Sequence, residues 1–354
     1  MKFSLNKFAL VFASVFLFVN FGSAQTEYEK GIELYRQGKD KEAVAALEKA
    51  SKQSKTDAEV WNYLGLASMK IKDYKKAIKA FDNAADLNRQ NVSYFTNLAY
   101  AYLLSGELID ARQTSSKAIN LDAKNAKAYF IRAAANLRED EIEKALADID
   151  KAIAANPDYS LAYNFKADIL LAKFDDGVDN SKPIINADLL GQAKEVLEFC
   201  LKNCRDNTQA KVQQERIERL TAFYDYFKQD ENAASKIGLI KSDEPTTVIT
   251  TDANITPVRI LSLPRMTVDF PLFFWRTRRI FSAKIRVAVL FADTGHITHT
   301  LIVKGDRSGL DLNQNAVNAA LRIKYIPATK NDRPISQINI IEYHYAGFYD
   351  YRYR

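Results

Sequence analysis

The side chains able to carry metal or nucleophilic chemistry are few and spread apart. Three histidines, His296, His299 and His344, lie toward the C-terminal end, while the two cysteines, Cys200 and Cys204, lie far upstream. In a strand His296 and His299 point to opposite faces, because side chains alternate at every residue, so no zinc-type ligand set is expected. Cys200 and Cys204 share one face of a helix, where the geometry of a bridge is strained. They read as two small half-buried side chains, with their pairing left open. No nucleophile-elbow string and no phosphate-binding glycine loop occurs, and 12 Gly and three His leave the usual catalytic constellations little to draw on. The expectation is a non-enzyme without cofactor or metal, whose chemistry is the recognition of other macromolecules.

The first residues bear on the compartment. Lys2 and Lys7 precede an apolar run from Phe8 to Phe21, and the small residues Gly22, Ser23 and Ala24 follow. This is the layout of a secretory signal, with cleavage expected after Ala24, and the run is shorter than the ~20 residues of a membrane-spanning helix. The chain of 354 residues exceeds the usual single-domain size. Its charge is uneven. From Pro257 onward fifteen Lys and Arg face seven Asp and Glu, a balance of +8, whereas residues 25–256 carry 4 − 8 = −4 of the +4 left once Lys2 and Lys7 are removed. A basic C-terminal unit thus follows an acidic one. Two cysteines are too few for a disulfide framework.

Shifting the sequence by 34 residues aligns Gly31, Gly65, Ala99 and Ala133, then Ala43, Ala77, Ala111 and Ala145, then Ala50, Ala84, Ala118 and Ala152. Small residues at fixed offsets have a packing cause: antiparallel helices approach closely only where side chains are no larger than a methyl group. Trp61, Leu64, Phe81, Phe95, Leu98, Tyr129 and Ile149 fill the space between, and Gly38 and Gly106 fall at the inter-helix turns, where left-handed backbone favours Gly.

These columns, the string Trp61-x2-Leu64-Gly65 and the Asn156-Pro157 pair resemble tetratricopeptide repeats. Residues 25–159 read as four such repeats. Residues 160–236 read as a fifth, degenerate one, with a loop inserted from Asp175 to Ala187 and a capping helix from Gln209 to Lys228. The resemblance implies that the first helix of each repeat lines a concave partner-binding face carrying Tyr28, Ile32 and Tyr35, then Asn62, Tyr63 and Leu66, then Asn97, Tyr100 and Leu104, then Phe130, Ile131 and Leu137. Tyr and Asn there supply contact area and hydrogen bonds for an extended peptide or a partner helix. Tyr28, Ile32 and Ile131 stand at positions where carboxylate-gripping members of the family carry Lys, Asn and Arg, so that clamp is not expected.

Residues 237–256, rich in Thr, Asp and Pro, read as a linker, and residues 257–354 as a further domain. Alternating Ile285, Val287, Val289 and Phe291, the turn Asp293-Thr294-Gly295 and the return Ile297 to Val303 predict a hairpin. Asp311 caps a helix with Leu312, Ala316, Ala319, Ala320 and Ile323 inward and Pro327 as its end, and Ile335 to Tyr345 supplies a third strand. This strand-strand-helix-strand order over residues 284–345, with Asp293-x-Gly295, Ser308-Gly309, Tyr325-x-Pro327-Ala328 and Asn331-x-x-Pro334, resembles the TonB C-terminal domain family. That resemblance implies strand addition of a peptide, with an outer-membrane transporter as one candidate partner, along Ile338, Asn339, Ile340, Ile341 and Glu342. The Phe273-Phe274-Trp275-Arg276 patch with Arg278 and Arg279 reads as core packing against the small sheet.

The fold class is thus multidomain: an all-α solenoid of helix-turn-helix repeats followed by a small α+β domain. The function expected is that of a periplasmic or secreted adaptor binding proteins or extended peptides of the cell envelope, without nucleic acid or metal, and with membrane contact left open. The alternative is a membrane-anchored transducer of the TonB type, although 8 Pro in the whole chain leave no long rigid spacer.

Overall fold

The computed structural model describes residues 26–176, 186–205, 210–229, 238–241, 255–264, 281–305 and 312–347. The signal segment, the inserted loop from 177 to 185, the aromatic patch at 273–279, Ser308-Gly309 and Asp311 lie outside the described residues. The chain divides into two compact units, Met1–Asn156 and Pro157–Arg354.

In the first unit, helix α1 (26–36) is followed by α2 (Asp40–Gln53), α3 (Ala58–Lys70), α4 (Tyr74–Leu87), α5 (Val92–Ser105), α6 (Leu108–Leu121), α7 (Ala126–Arg138) and α8 (Ile142–Ala155). Each odd-numbered helix and its successor form an antiparallel hairpin, and successive hairpins pack on one another. The expected small-residue columns lie at the contacts: Ala43, Ala77, Ala111 and Ala145 have no exposed surface, and neither do Ala50, Ala84, Ala118 and Ala152. A methyl group added at Gly65 would sit 2.5 Å from the Phe81 ring, so this helix pair closes only over glycine. The helix starts repeat as well. Asp57, Asp73, Asn91 and Asn125 each accept a hydrogen bond from a backbone N–H of the following first turn, satisfying donors that have no partner inside the helix.

The turns inside the hairpins show a regularity that glycine content alone conceals. Gly38 and Gly106 have φ of 72° and 88°, and Lys72 and Asp140, at the same place in the other two hairpins, have φ of 60° and 64°. All four turns therefore need the left-handed conformation, which is strained for residues with a Cβ.

Among the described residues the second unit holds α9 (Ser160–Asp176), α10 (Asp188–Asn203), α11 (Ala210–Gln229), nine strands and α12 (Leu312–Ala320). Its main sheet runs β1 (Gly238–Lys241), β9 (Gln337–Gly347), β4 (Phe281–Phe291) and β5 (Ile297–Lys304), with β1 parallel to β9 and the other pairs antiparallel. Smaller pairings join β2 (Ile255–Thr256), β7 (Ala328–Lys330) and β8 (Arg333–Ile335), and β3 (Arg259–Ser262) with β6 (Lys324–Ile326). The hairpin turns at Gly295, with φ of 80°, as expected. One face of β4 and β9, bearing Ile285, Val287, Val289, Phe291, Ile341 and Tyr343, closes over Leu312, Ala316, Ala319 and Ala320 of α12. The helix ends at Ala320, before Ile323 and Pro327, because the chain returns as β6.

Two expectations are corrected here, and one open question is resolved. The segment read as a linker contains β1 and β2. The strand Ile338 to Glu342 is not a free edge: β1 pairs with Asn339, Ile340, Ile341 and Glu342 on one side and β4 on the other, and all five residues are buried. A partner strand has no unpaired groups to meet along 339–342. Cys200 and Cys204, read as two small half-buried side chains with their pairing left open, are disulfide-bonded at a Cα–Cα distance of 4.8 Å across the end of α10.

The other face of the sheet is apolar too, with Ala288, Leu301, Ile338 and Ile340 buried, and α9 and α11 contact β5. This explains why the helices expected to cap the array share a unit with the sheet. On that face Arg286 and Glu342, directly opposite in β4 and β9, form an ion pair of 2.7 Å with side chains 5% and 2% exposed, and His344 also contacts Glu342. Hydrogen bonds from His344 and Arg286, together with the Arg286 charge, hold the Glu342 carboxyl below its ordinary range against the opposing effect of burial.

Replacing Lys72 by Gly relieves the left-handed strain of about 1–2 kcal/mol, less the ~0.5–1 kcal/mol entropy of glycine. The urea midpoint of Lys72→Gly should rise, whereas Ala111→Leu, which adds volume at a closed contact, should lower it by the equivalent of about 1–3 kcal/mol. A rise in Ala111→Leu, or a fall in Lys72→Gly, would contradict the packing described.

Candidate partner-binding face of the helical array

Helices α3, α5 and α7 lie beside one another as the first helices of successive hairpins, and the residues expected to bind a partner sit along them. The structure joins several. Asn97 Nδ2 donates to Asn62 Oδ1 at 3.1 Å, linking α5 to α3. Tyr28 and Tyr35 of α1 each meet the ring of Tyr63 edge-on, with centroids 5.9 and 6.3 Å away. These three rings are half-buried and also pack against the core around Leu47 and Leu64, so their role is partly structural. Burial, reinforced by Glu59, pushes the Tyr28 phenol up to about 12, keeping it neutral and able to donate at neutral pH. Ile131 and Leu137, expected on the same face, are fully buried and pack inside the array instead.

Tyr100 is half-buried, and two cations that sequence reasoning passed over flank it. Lys127 Nζ lies over its ring at 5.4 Å to the centroid. Arg138, on α7, donates from Nη1 to the Leu103 carbonyl at 2.5 Å, completing a hydrogen bond at the end of α5. Lys127 and Arg138 are eleven positions apart, close to three full turns, so both fall on one side of α7. Lys127 is exposed, yet nearby protein partly desolvates it and lowers its pKa. Desolvation also lowers the pKa of Arg138. Among the described residues neither has a carboxylate within ion-pair distance.

The opposite side of α7 carries a buried network. Arg132 grips Asp148 of α8 through Nε and Nη2 at 2.8 and 2.7 Å and donates from Nη1 to Ser116 Oγ of α6 at 3.0 Å, while Asn136 Nδ2 reaches Asp148 at 3.1 Å. The paired geometry ties three helices at one point and keeps the Asp148 charge compensated.

Among the described residues no group of three His, Cys, Asp or Glu side chains could hold a metal ion, and no helix is long and apolar enough to cross a membrane.

Residues 28–92 match the family model of the tetratricopeptide repeat. Human serine/threonine-protein phosphatase 5 is 36% identical over 88 residues, 25% of this chain and 18% of that protein. Translocon at the outer membrane of chloroplasts 64 from Pisum sativum is 31% identical over 117 residues, 32% of this chain and 20% of that protein. The chain thus spans about a fifth of the length of these curated relatives. Among solved structures, a thermophilic tetratricopeptide repeat protein of Thermus thermophilus is similar with a TM-score of 0.43 and 18% identity over 55% of this chain and 100% of that one. Residues 28–92, from α1 to the start of α5, thus match tetratricopeptide repeats, and the helix hairpins continue in the same 34-residue register through α8.

Removing the Asp148 carboxylate leaves the half-buried Arg132 guanidinium without its counter-charge and its paired hydrogen bonds, which costs about 1.5–3 kcal/mol. Asp148→Ala should therefore lower the urea midpoint clearly. An unchanged midpoint would show that the pair does not hold α7 to α8.

Proposed function

We propose that this protein is an exported, non-catalytic adaptor that holds an extended peptide or helix of a cell-envelope protein on the face formed by α1, α3, α5 and α7. The observation that carries this reading is the set of half-buried polar and aromatic groups on that face, flanked by the exposed Lys127 and the half-buried Arg138. The Asn62–Asn97 pair and the Tyr100 ring with Lys127 offer hydrogen-bond donors, acceptors and aromatic area, and Lys127 and Arg138 are desolvated without a carboxylate of their own among the described residues. An anionic or carbonyl-rich ligand would compensate both cations. Export to the periplasm or beyond rests on the Lys2, Lys7 and Phe8-to-Ala24 segment.

A TonB-like role for the strands of the second unit belongs to the same proposal. The resemblance over residues 284–345 supports a second partner there, an outer-membrane transporter being one candidate. With β9 paired to β1 along 339–342, strand addition at that stretch would use the outer edge of β1, Gly238–Lys241, four residues long among the described residues.

Envelope proteins retained by the wild-type chain should be lost from Tyr100→Ala/Lys127→Ala, with affinity for a purified partner falling at least about tenfold, the equivalent of ~1.4 kcal/mol. Mass spectrometry of the native protein should find a chain that starts at Gln25. Unchanged retention by the double variant would reject this face as the binding site, and a native chain that starts at Met1 would reject export by cleavage.

A further inference from the structure

A second recess opens on the far side of α7. It is a cavity of about 780 Å³ between α6 and α8, lined by Arg112, Gln113, Lys117 and Asn120 of α6 and by Lys144 of α8, with the Arg132–Asp148 pair at its floor. Arg132 is five positions from Lys127, a rotation of roughly 140° about the helix axis, so this groove and the Tyr100–Lys127 face are separate surfaces. Four cations and one carboxylate line it, and that carboxylate is fully engaged by Arg132 and Asn136. Arg112 and Lys144 have counter-charges outside the lining, Glu139 at 2.8 Å and Glu141 at 3.0 Å, in pairs open enough to water to be exchanged. Lys117 is exposed and, among the described residues, has no carboxylate within ion-pair distance.

The repeat register shows that this charge is local. One period of 34 residues earlier, the positions of Ser116, Asn120 and Lys144 are held by Asp82, Asp86 and Asp110, and those of Ile109 and Gln113 by Lys75 and Lys79. The equivalent positions between α4 and α6 thus carry mixed charge, three Asp and two Lys, whereas the groove between α6 and α8 is basic. Packing does not demand the change, because these positions point away from the small-residue columns that close the helices. Ile109, 58% exposed, adds an apolar contact at the rim, and the Gln113 and Asn120 amides are placed to meet a backbone.

We propose that the groove between α6 and α8 is a second docking site, for an extended acidic segment of a partner protein that carries an apolar residue beside its carboxylates. Charge complementarity selects the acidic residues and Ile109 the apolar one. With two faces of one array occupied by different segments, the protein would bridge two partners rather than hold one.

The test uses the full chain and a short fluorescein-labelled peptide of alternating Glu and Leu, with its Gln and Leu counterpart as control. Fluorescence anisotropy should show binding of the Glu peptide alone, weakening as salt rises. The exposed-residue variant Lys117→Glu/Lys144→Glu should lose at least about tenfold in affinity, while Tyr100→Ala/Lys127→Ala keeps it, which separates this site from the proposed peptide face. A photo-reactive residue in place of Gln113 should crosslink the peptide. Equal binding of the Gln peptide, no binding of either, or loss only in the Tyr100 and Lys127 variant would overturn the proposal. So would equal binding of a single-stranded oligonucleotide, which would mean that charge alone is read. So too would sedimentation showing that Lys117→Glu/Lys144→Glu merely splits a dimer, which would make the occupant a second copy.

Discussion

Close approach of helix backbones governs the array. Where Gly65 faces Phe81, and where the alanines at 43, 77, 111 and 145 meet their neighbours, no side chain larger than a methyl group separates the two helices. The large residues are thereby confined to the remaining space, the hairpin turns are forced into one left-handed conformation, and each new hairpin repeats the placement of the one before. Recognition follows from this repetition. Because the small columns take up the packing, the other sides of each helix are free to vary, and two of those sides differ in chemistry from one hairpin to the next.

The repeat fold was legible because its signal is redundant: three small columns recur in every period, and one misfit would not hide them. The left-handed turns at Lys72 and Asp140 were not legible, since only Gly announces that conformation by residue type, yet their offset of 34 from Gly38 and Gly106 was available. The face of Asn62, Asn97 and Tyr100 could be named from helical spacing. Ile131 and Leu137 could not be separated from it, because an apolar residue on a helix border serves either core or surface. Lys127 and Arg138 stood in plain view as charges, but their desolvation is a property of the surrounding helices.

In the second unit, local patterns marked β4, β5, α12 and β9, and non-local pairings escaped. Gly238–Lys241 is too short and too plain to signal a strand, and its parallel partner lies about a hundred residues away. Sequence alternation assigns a strand to a face and is silent about which strand borders it. The same limit hid the ion pair of Arg286 with Glu342, which depends on β4–β9 register, and the burial of the second sheet face. The Cys200–Cys204 bond, left open by the sequence, forms because the end of α10 lets the chain at Cys204 leave helical geometry, with φ −72° and ψ 134°, so the constraint of a regular helix does not apply there.

The 34-residue period of small residues, and not the particular side chains of any one hairpin, defines the array. Deleting residues 58–91 removes one whole period and joins Asp57 to Val92 with every column in phase. Deleting residues 62–91 removes nearly as much and puts the columns out of phase. Circular dichroism during urea unfolding of the two variants decides the matter: the account predicts a cooperative helical transition for the first, at a reduced midpoint, and loss of that transition for the second. Equal behaviour of the two would contradict it.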